Sequence, residues 1–187
     1  MKEEILKIIE VLKSGGVICY PTDTIWGLGC DATNPKAVEK IGIIKRRTDS
    51  KSMIVLLSDD NQLDKYIKAV PDIAWDLLEQ VEEPITIIYP GAKNLASNVI
   101  ADDGSVGIRI VHDEFCKALL RSFGKPIVST SANLSGEPHP VSFSHITPEL
   151  LSSVDYVVDY NRNRVHYIKP SSIIKLGING EIELIRK

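Results

Sequence analysis

No apolar run in this 187-residue chain approaches the roughly 18–20 residues that a membrane-spanning helix requires. The first residues, MKEEILKIIEVLKSGG, carry two glutamates and amphipathic spacing, which argues against a signal peptide. Cysteine is scarce. Cys19, Cys30 and Cys116 are odd in number and too far apart for a CxxC pair, so each reads as a small buried hydrophobe. Unpaired thiols in a chain without a leader point to the reducing cytoplasm. His112, His139, His145 and His166 include no H-x-x-x-H pair, which leaves a zinc site without support. Neither a G-x-x-x-x-G-K-[ST] loop nor a G-x-G-x-x-G fingerprint is present, so any nucleotide needs a different cradle. No glycine precedes Ser131 at the spacing of a G-x-S-x-G elbow, and no triad signature accompanies it. A basic excess is also missing: 22 Lys and Arg against 25 Asp and Glu give a net charge of −3. That balance argues against sequence-blind nucleic-acid binding, which rests on many cations neutralising phosphates. Internal repeats, low-complexity tracts and linkers are absent.

What is present is an ordinary globular composition, with 43% hydrophobic and 25% charged residues. The length suggests one domain over residues 1–187, large enough to fold without disulfide or metal staples. Ile5, Ile8, Ile9 and Leu12 recur at helical spacing, and Gly15-Gly16 supplies a stop. Val17–Tyr20 reads as a strand, and Asn34-Pro35 as the start of a second helix. Further strands are expected at Met53–Leu57, Ile85–Tyr89, Val106–Val111, Pro126–Val128, Tyr156–Val158, Ser172–Leu176 and Ile182–Ile185. Helices are expected over Asn61–Ile67, Pro71–Val81, Asp113–Phe123 and Ser144–Leu151. The alternation predicts an α/β fold with a sheet covered by helices on both faces.

Three segments carry chemistry. Pro21-Thr22-Asp23-Thr24-Ile25-Trp26-Gly27-Leu28-Gly29 follows a strand, where ligands gather in open α/β sheets. It reads either as a polar ligand loop, with glycines for close backbone approach, or as an ordinary turn with Trp26 in the core. Lys45, Arg46, Arg47 and Lys51 stand against a single Asp49. This run is either a solvated cluster favoured by a helix C-terminus or a clamp for a polyphosphate. Arg109 lies inside an apolar strand and must meet an anion, either an internal carboxylate or a ligand. Ser129-Thr130-Ser131-Ala132-Asn133-Leu134-Ser135-Gly136 reads as a hydroxyl-rich loop, suited to wrapping anionic oxygens or to capping the next element.

In their order these segments resemble the YrdC-type threonylcarbamoyl-AMP synthase family. The matching parts are Pro21–Gly29, the Lys-x-Arg pair Lys45 and Arg47, Ser105–Arg109, and Ser-Ala-Asn-x-Ser-Gly-x-Pro over Ser131–Pro138. Ser171-Ser172-Ile173 and Arg186 are counterparts of a late Ser-Thr-Ile strand and arginine. The chain departs from the family pattern at Thr48, Ser52, Leu56, Glu83, His139 and Pro170. Leu56 stands where some members carry a histidine toward threonine, and His139 where a serine facing ATP is frequent.

The resemblance implies a three-layer fold, a twisted mixed sheet between helices, with a concave site. It implies formation of threonylcarbamoyl-AMP and pyrophosphate from L-threonine, bicarbonate or CO2, and ATP. A downstream threonylcarbamoyl transferase complex would then modify an adenosine of tRNAs, with direct tRNA or RNA contact left open. Lys45 and Arg47 are the implied catalytic residues. They would share the ATP site with Lys51, Ser105, Ser131, Asn133, Ser171 and Arg186, while Thr22, Arg109 and Ser129 would hold threonine. Mg2+ is expected with ATP, with protein ligands unknown. The alternative is a YciO-like paralogue that binds RNA or a nucleotide without making the adenylate. Retention of Lys45, Arg47, Ala132 and Asn133 favours the enzyme.

Overall fold

A computed structural model describes residues 1–46, 53–163 and 170–187. Period-two alternation sorts the strand side chains between two apolar layers. In β1 (Ile18–Tyr20), Cys19 joins one layer while Ile18 and Tyr20 join the other. In β3 (Ile54–Leu57), Val55 and Leu57 face the first layer and Leu56 the second. β6 (Ile127–Ser131) repeats the pattern, with Val128 in the first layer and Ile127 in the second. The remaining strands are β2 (Gly27–Asp31), β4 (Ile85–Tyr89), β5 (Val106–Ile110), β7 (Tyr156–Val157), β8 (Ser172–Leu176) and β9 (Ile182–Arg186). They form one sheet in the order β7-β1-β2-β6-β3-β5-β4-β8-β9. Pairs β1–β7, β3–β5 and β4–β8 are parallel and the others antiparallel, so the sheet is mixed.

Helices cover both faces, as the sequence predicts. α1 (Lys2–Lys13) and α5 (Glu114–Phe123) pack together over the second layer. α2 (Pro35–Ile44), α3 (Leu63–Tyr66), α4 (Asp72–Gln80) and α6 (Pro148–Ser153) contribute to the first. The caps that mark these helices in the sequence are in place. The Asn34 side chain accepts from the backbone N–H groups of Lys36 and Ala37, with Pro35 following it. Asp113 does the same for Phe115 and Cys116, and Gly124 closes α5 at φ 75°. All three cysteines are buried and free. Among the described residues no helix is long and apolar enough to cross a membrane.

Two expected loops are strands. Gly27–Gly29, expected within a loop or turn, opens β2, which is fully buried and pairs with β1 on one side and β6 on the other. Its glycines serve strand packing: a Cβ on Gly29 would lie 2.7 Å from the Tyr20 ring and 3.0 Å from the Val128 carbonyl oxygen. Ser129–Ser131, expected within a loop, ends β6: Ser129 pairs with Gly29 of β2 and Ile54 of β3, and Thr130 and Ser131 pair with β2. Sheet pairing overrides the weak strand preference of serine. The segments expected as Asn61–Ile67 and Ser144–Leu151 each divide into a 3-10 turn followed by a short helix.

The second layer also positions the site. Its strand members come from β1, β3 and β6, and none from β4, β5 or β8. On that same face Thr86 and Ile88 of β4, Gly107 and Arg109 of β5, and Ile173 of β8 instead line a cavity of about 580 Å³.

Candidate active site

A cavity of this size suits a small-molecule ligand or cofactor. Thr22, Lys45, Ser105, Arg109, Ser129, Ser131, Asn133, Ser171 and Arg186 all line it. Arg47 and Lys51, the other expected site residues, lie outside the described residues, as do Thr48, Ser52 and His166.

Lys45 follows the last residue of α2, yet it is only 2% exposed. The solvated-cluster reading therefore does not hold for this lysine. Its Nζ donates to the carbonyl oxygens of Ser131 at 2.5 Å and Asn133 at 2.6 Å. Its own carbonyl accepts from the Ser135 N–H at 3.1 Å, so the end of α2 is stitched to the segment after β6. Arg46 does match that reading: it is exposed and ion-pairs with Glu149. Asn133 shapes the same segment by donating to the carbonyl oxygens of Leu134 and Glu137, at 3.0 and 2.7 Å. Its Oδ1 is buried and has no partner among the described residues.

The turn between β1 and β2 has the hydrogen bonds of an ordinary turn with Trp26 in the core, and it also borders the cavity. Thr22 Oγ1 donates to the Ile25 carbonyl at 2.7 Å and accepts from the Thr24 N–H at 3.1 Å, a side-chain-stabilised turn. Trp26 is fully buried and packs on Phe143, with ring centroids 4.9 Å apart. Thr22 and Thr24 nonetheless face the cavity. Asp23 is not among the residues lining it. It ion-pairs with Arg109 at 2.9 Å, and both side chains are almost wholly buried. Arg109 thus meets an internal carboxylate and also lines the cavity.

On the far wall, Ser105 donates from Oγ and N to Asp103 Oδ1 at 2.6 and 3.0 Å. Lys175, 2.8 Å from Asp103 Oδ2, is the main reason that carboxyl is held well below the usual range, with Ser105 adding to it. The hydroxyls of Ser171 and Thr86 lie 2.7 Å apart. Arg186 donates from Nε and Nη2 to the Ser171 carbonyl at 3.1 and 2.7 Å. Burial lowers the pKa of Arg186, and the charge of Arg109 adds to the effect. His139 also lines the cavity and is pushed toward its neutral form, first by burial and then by Arg186 and Lys45. Leu56 belongs to the apolar layer under α1 and α5, not to the cavity wall.

Sequence reasoning missed Thr86 and Thr130. Thr86 is a fully buried threonine in an isoleucine-rich strand, and a lone hydroxyl in such a run is the signal that could have found it. Thr130 lay within a noted segment without being singled out. Three cations, Lys45, Arg109 and Arg186, line this cavity against one carboxylate, Glu137, among the described residues. Such a cavity can take an elongated anion and bind its polar groups with hydroxyls. Among the described residues no three His, Cys, Asp or Glu side chains converge as a metal cage.

The family model for Sua5, YciO and YrdC, described as telomere recombination, matches residues 10–187. The chain belongs to the Sua5/YciO/YrdC family. Within it, the threonylcarbamoyl-AMP synthase of Pseudoalteromonas translucida is 35% identical over 177 residues, 93% of each chain. The enzyme of that name from Xanthomonas euvesicatoria is 36% identical over 156 residues, covering 82% of this chain and 83% of its own. Of the solved structures, E. coli YciO superposes with a TM-score of 0.86 at 26% identity, covering 100% of this chain and 90% of that one. P. abyssi Sua5 complexed with L-threonine gives 0.84 at 25% identity over 92% of this chain. This chain spans about half of that protein, 50% of its length. These likenesses match the mixed sheet and helix layers described above.

Proposed function

We propose that this chain is a threonylcarbamoyl-AMP synthase, acting as a single domain over residues 1–187. The observation that carries the reading is the single cavity in which nine residues singled out from the sequence meet, three of them cations. Full-length similarity to enzymes of that name supports it.

In this reading threonine and CO2, or bicarbonate, give a carbamate. A carbamate oxygen attacks the α-phosphorus of ATP, a C–O–P linkage forms, the bond to the β-phosphate breaks and pyrophosphate leaves. No enzyme nucleophile is needed. Catalysis comes from holding two anions together and stabilising charge on the leaving group. Lys45 carries a positive charge to the wall, fixed by two carbonyls, and with Arg47 and Lys51 it serves the phosphates. Ser105, Ser131, Asn133, Ser171 and Arg186 line the ATP region. Thr22, Ser129 and Arg109 form the threonine end, with Arg109 on the carboxylate.

Mg2+ would accompany ATP and lower the charge repulsion between the phosphates and the carbamate. Among the described residues no cluster of three His, Cys, Asp or Glu side chains marks where it would bind. A downstream transferase would pass the threonylcarbamoyl group to tRNA in the cytoplasm. Purified protein with Mg-ATP is expected to release pyrophosphate only when threonine and bicarbonate are both present. Nucleotide or RNA binding without such release would instead favour a YciO-like binding protein.

A further inference from the structure

We propose that Asp23 is a positioning residue that sets affinity for the threonine carboxylate by holding the Arg109 guanidinium. The proposal rests on the reading of this cavity as a threonine site. Asp23 is not part of the main cavity wall. It lies behind Arg109, where it borders a separate cavity of about 220 Å³ together with Pro84, His112 and Asp113. Its carboxylate is 2.9 Å from Arg109 Nη2, and side-chain exposure is 5% for Asp23 and 4% for Arg109. The contact is an ion pair, and neither carboxylate oxygen has a hydrogen-bond partner among the described residues. Burial pushes the Asp23 carboxyl up; Arg109 is the main influence opposing the shift, while Asp113 adds to it and His112 counters it.

A buried ion pair is a poor way to gain stability, because desolvation offsets most of the Coulombic attraction. Its value here is geometric. Arg109 comes from β5 and Asp23 from the turn after β1, so the pair fixes the guanidinium against an element on the other side of β3, β6 and β2. That turn is itself held by Thr22. One end of the guanidinium is anchored on Asp23, while the Nε N–H is buried without an acceptor among the described residues. A planar fork tied at one end, on a residue that also lines the cavity, is prepared to receive a carboxylate there.

The test compares the full-length protein with Asp23→Asn, which keeps the shape and removes the charge. Affinities for L-threonine, ATP and L-threoninol, in which an alcohol replaces the carboxylate, are measured by calorimetry, together with kcat and KM for threonine. Asp23→Asn is expected to weaken threonine about tenfold or more, equivalent to about 1.4 kcal/mol, in both Kd and KM. Affinities for ATP and threoninol are expected to stay within about twofold, well inside that 1.4 kcal/mol scale. Unchanged threonine affinity overturns the proposal, as do equal losses for threonine, threoninol and ATP. If Asp23→Asn does not fold, Asp23→Glu moves the charge by one methylene and is read the same way: a threonine-selective loss supports the proposal, and no loss or a uniform loss overturns it. Wild-type protein that binds no threonine defeats the functional reading itself, and the proposal with it.

Discussion

Arg109 answers to two anions, the buried carboxylate of Asp23 and, in the proposed reaction, the carboxylate of threonine. Removing it does more than vacate a ligand contact. Arg109→Ala strands Asp23 as a buried charge, and breaking such a pair costs about 3–5 kcal/mol. Urea unfolding of Arg109→Ala is therefore expected to show a loss on that scale. The double variant Arg109→Ala/Asp23→Asn, which has no stranded charge, is expected to recover part of it. Equal stability of the single and double variants would mean that the pair is not the stabilising contact described. Lys45 is a comparable case: a lysine that reads in the sequence as one of several surface cations has its ammonium held by two carbonyls. What the sequence could not show at this scale is which anion each cation meets. Asp23 and Arg109 stand 86 positions apart, and only the pairing of β1, β2, β6, β3 and β5 brings them together.

At the scale of elements, the legible parts are those with local punctuation. α2 and α5 begin at capping side chains, Asn34 and Asp113, and α5 ends at a left-handed glycine, all of which depend on neighbours a few residues away. β2 carries no such mark. Gly-Leu-Gly-Cys-Asp has poor strand propensity and reads as loop, yet it is fully buried because β1 and β6 flank it. The end of β6 hides for the same reason, its hydroxyls suggesting a turn that sheet pairing overrides. Gly29 gives a test of this packing. An alanine Cβ there meets the Tyr20 ring and a backbone carbonyl that cannot retreat without disturbing the sheet. Gly29→Ala is expected to cost about 1–3 kcal/mol of stability, the usual scale of overpacking. The variant Gly42→Ala, at a helical position with nothing within 4 Å of the added carbon, is the control and should not destabilise the protein. Equal losses for the two would contradict the close approach of β1 and β2.

Across the whole molecule, one face of the sheet is divided between two uses. Under α1 and α5 it forms an apolar layer, and over β4, β5 and β8 its side chains turn to threonine, glycine, arginine and isoleucine and enclose the cavity. A net charge of −3 conceals this arrangement, because Lys45, Arg109 and Arg186 gather around one cavity. The order of motifs in the sequence was enough to nominate the residues of that cavity, but not the sheet face over β4, β5 and β8 that forms it. The central claim is that this one cavity joins a threonine carbamate to the α-phosphate of ATP. The direct measurement supplies 13C-bicarbonate with L-threonine and Mg-ATP and follows product by mass spectrometry alongside pyrophosphate. The expected result is a threonylcarbamoyl adenylate carrying one labelled carbon, formed in equal amount to pyrophosphate. Pyrophosphate without labelled adenylate, or neither product from folded protein that binds ATP, would contradict it.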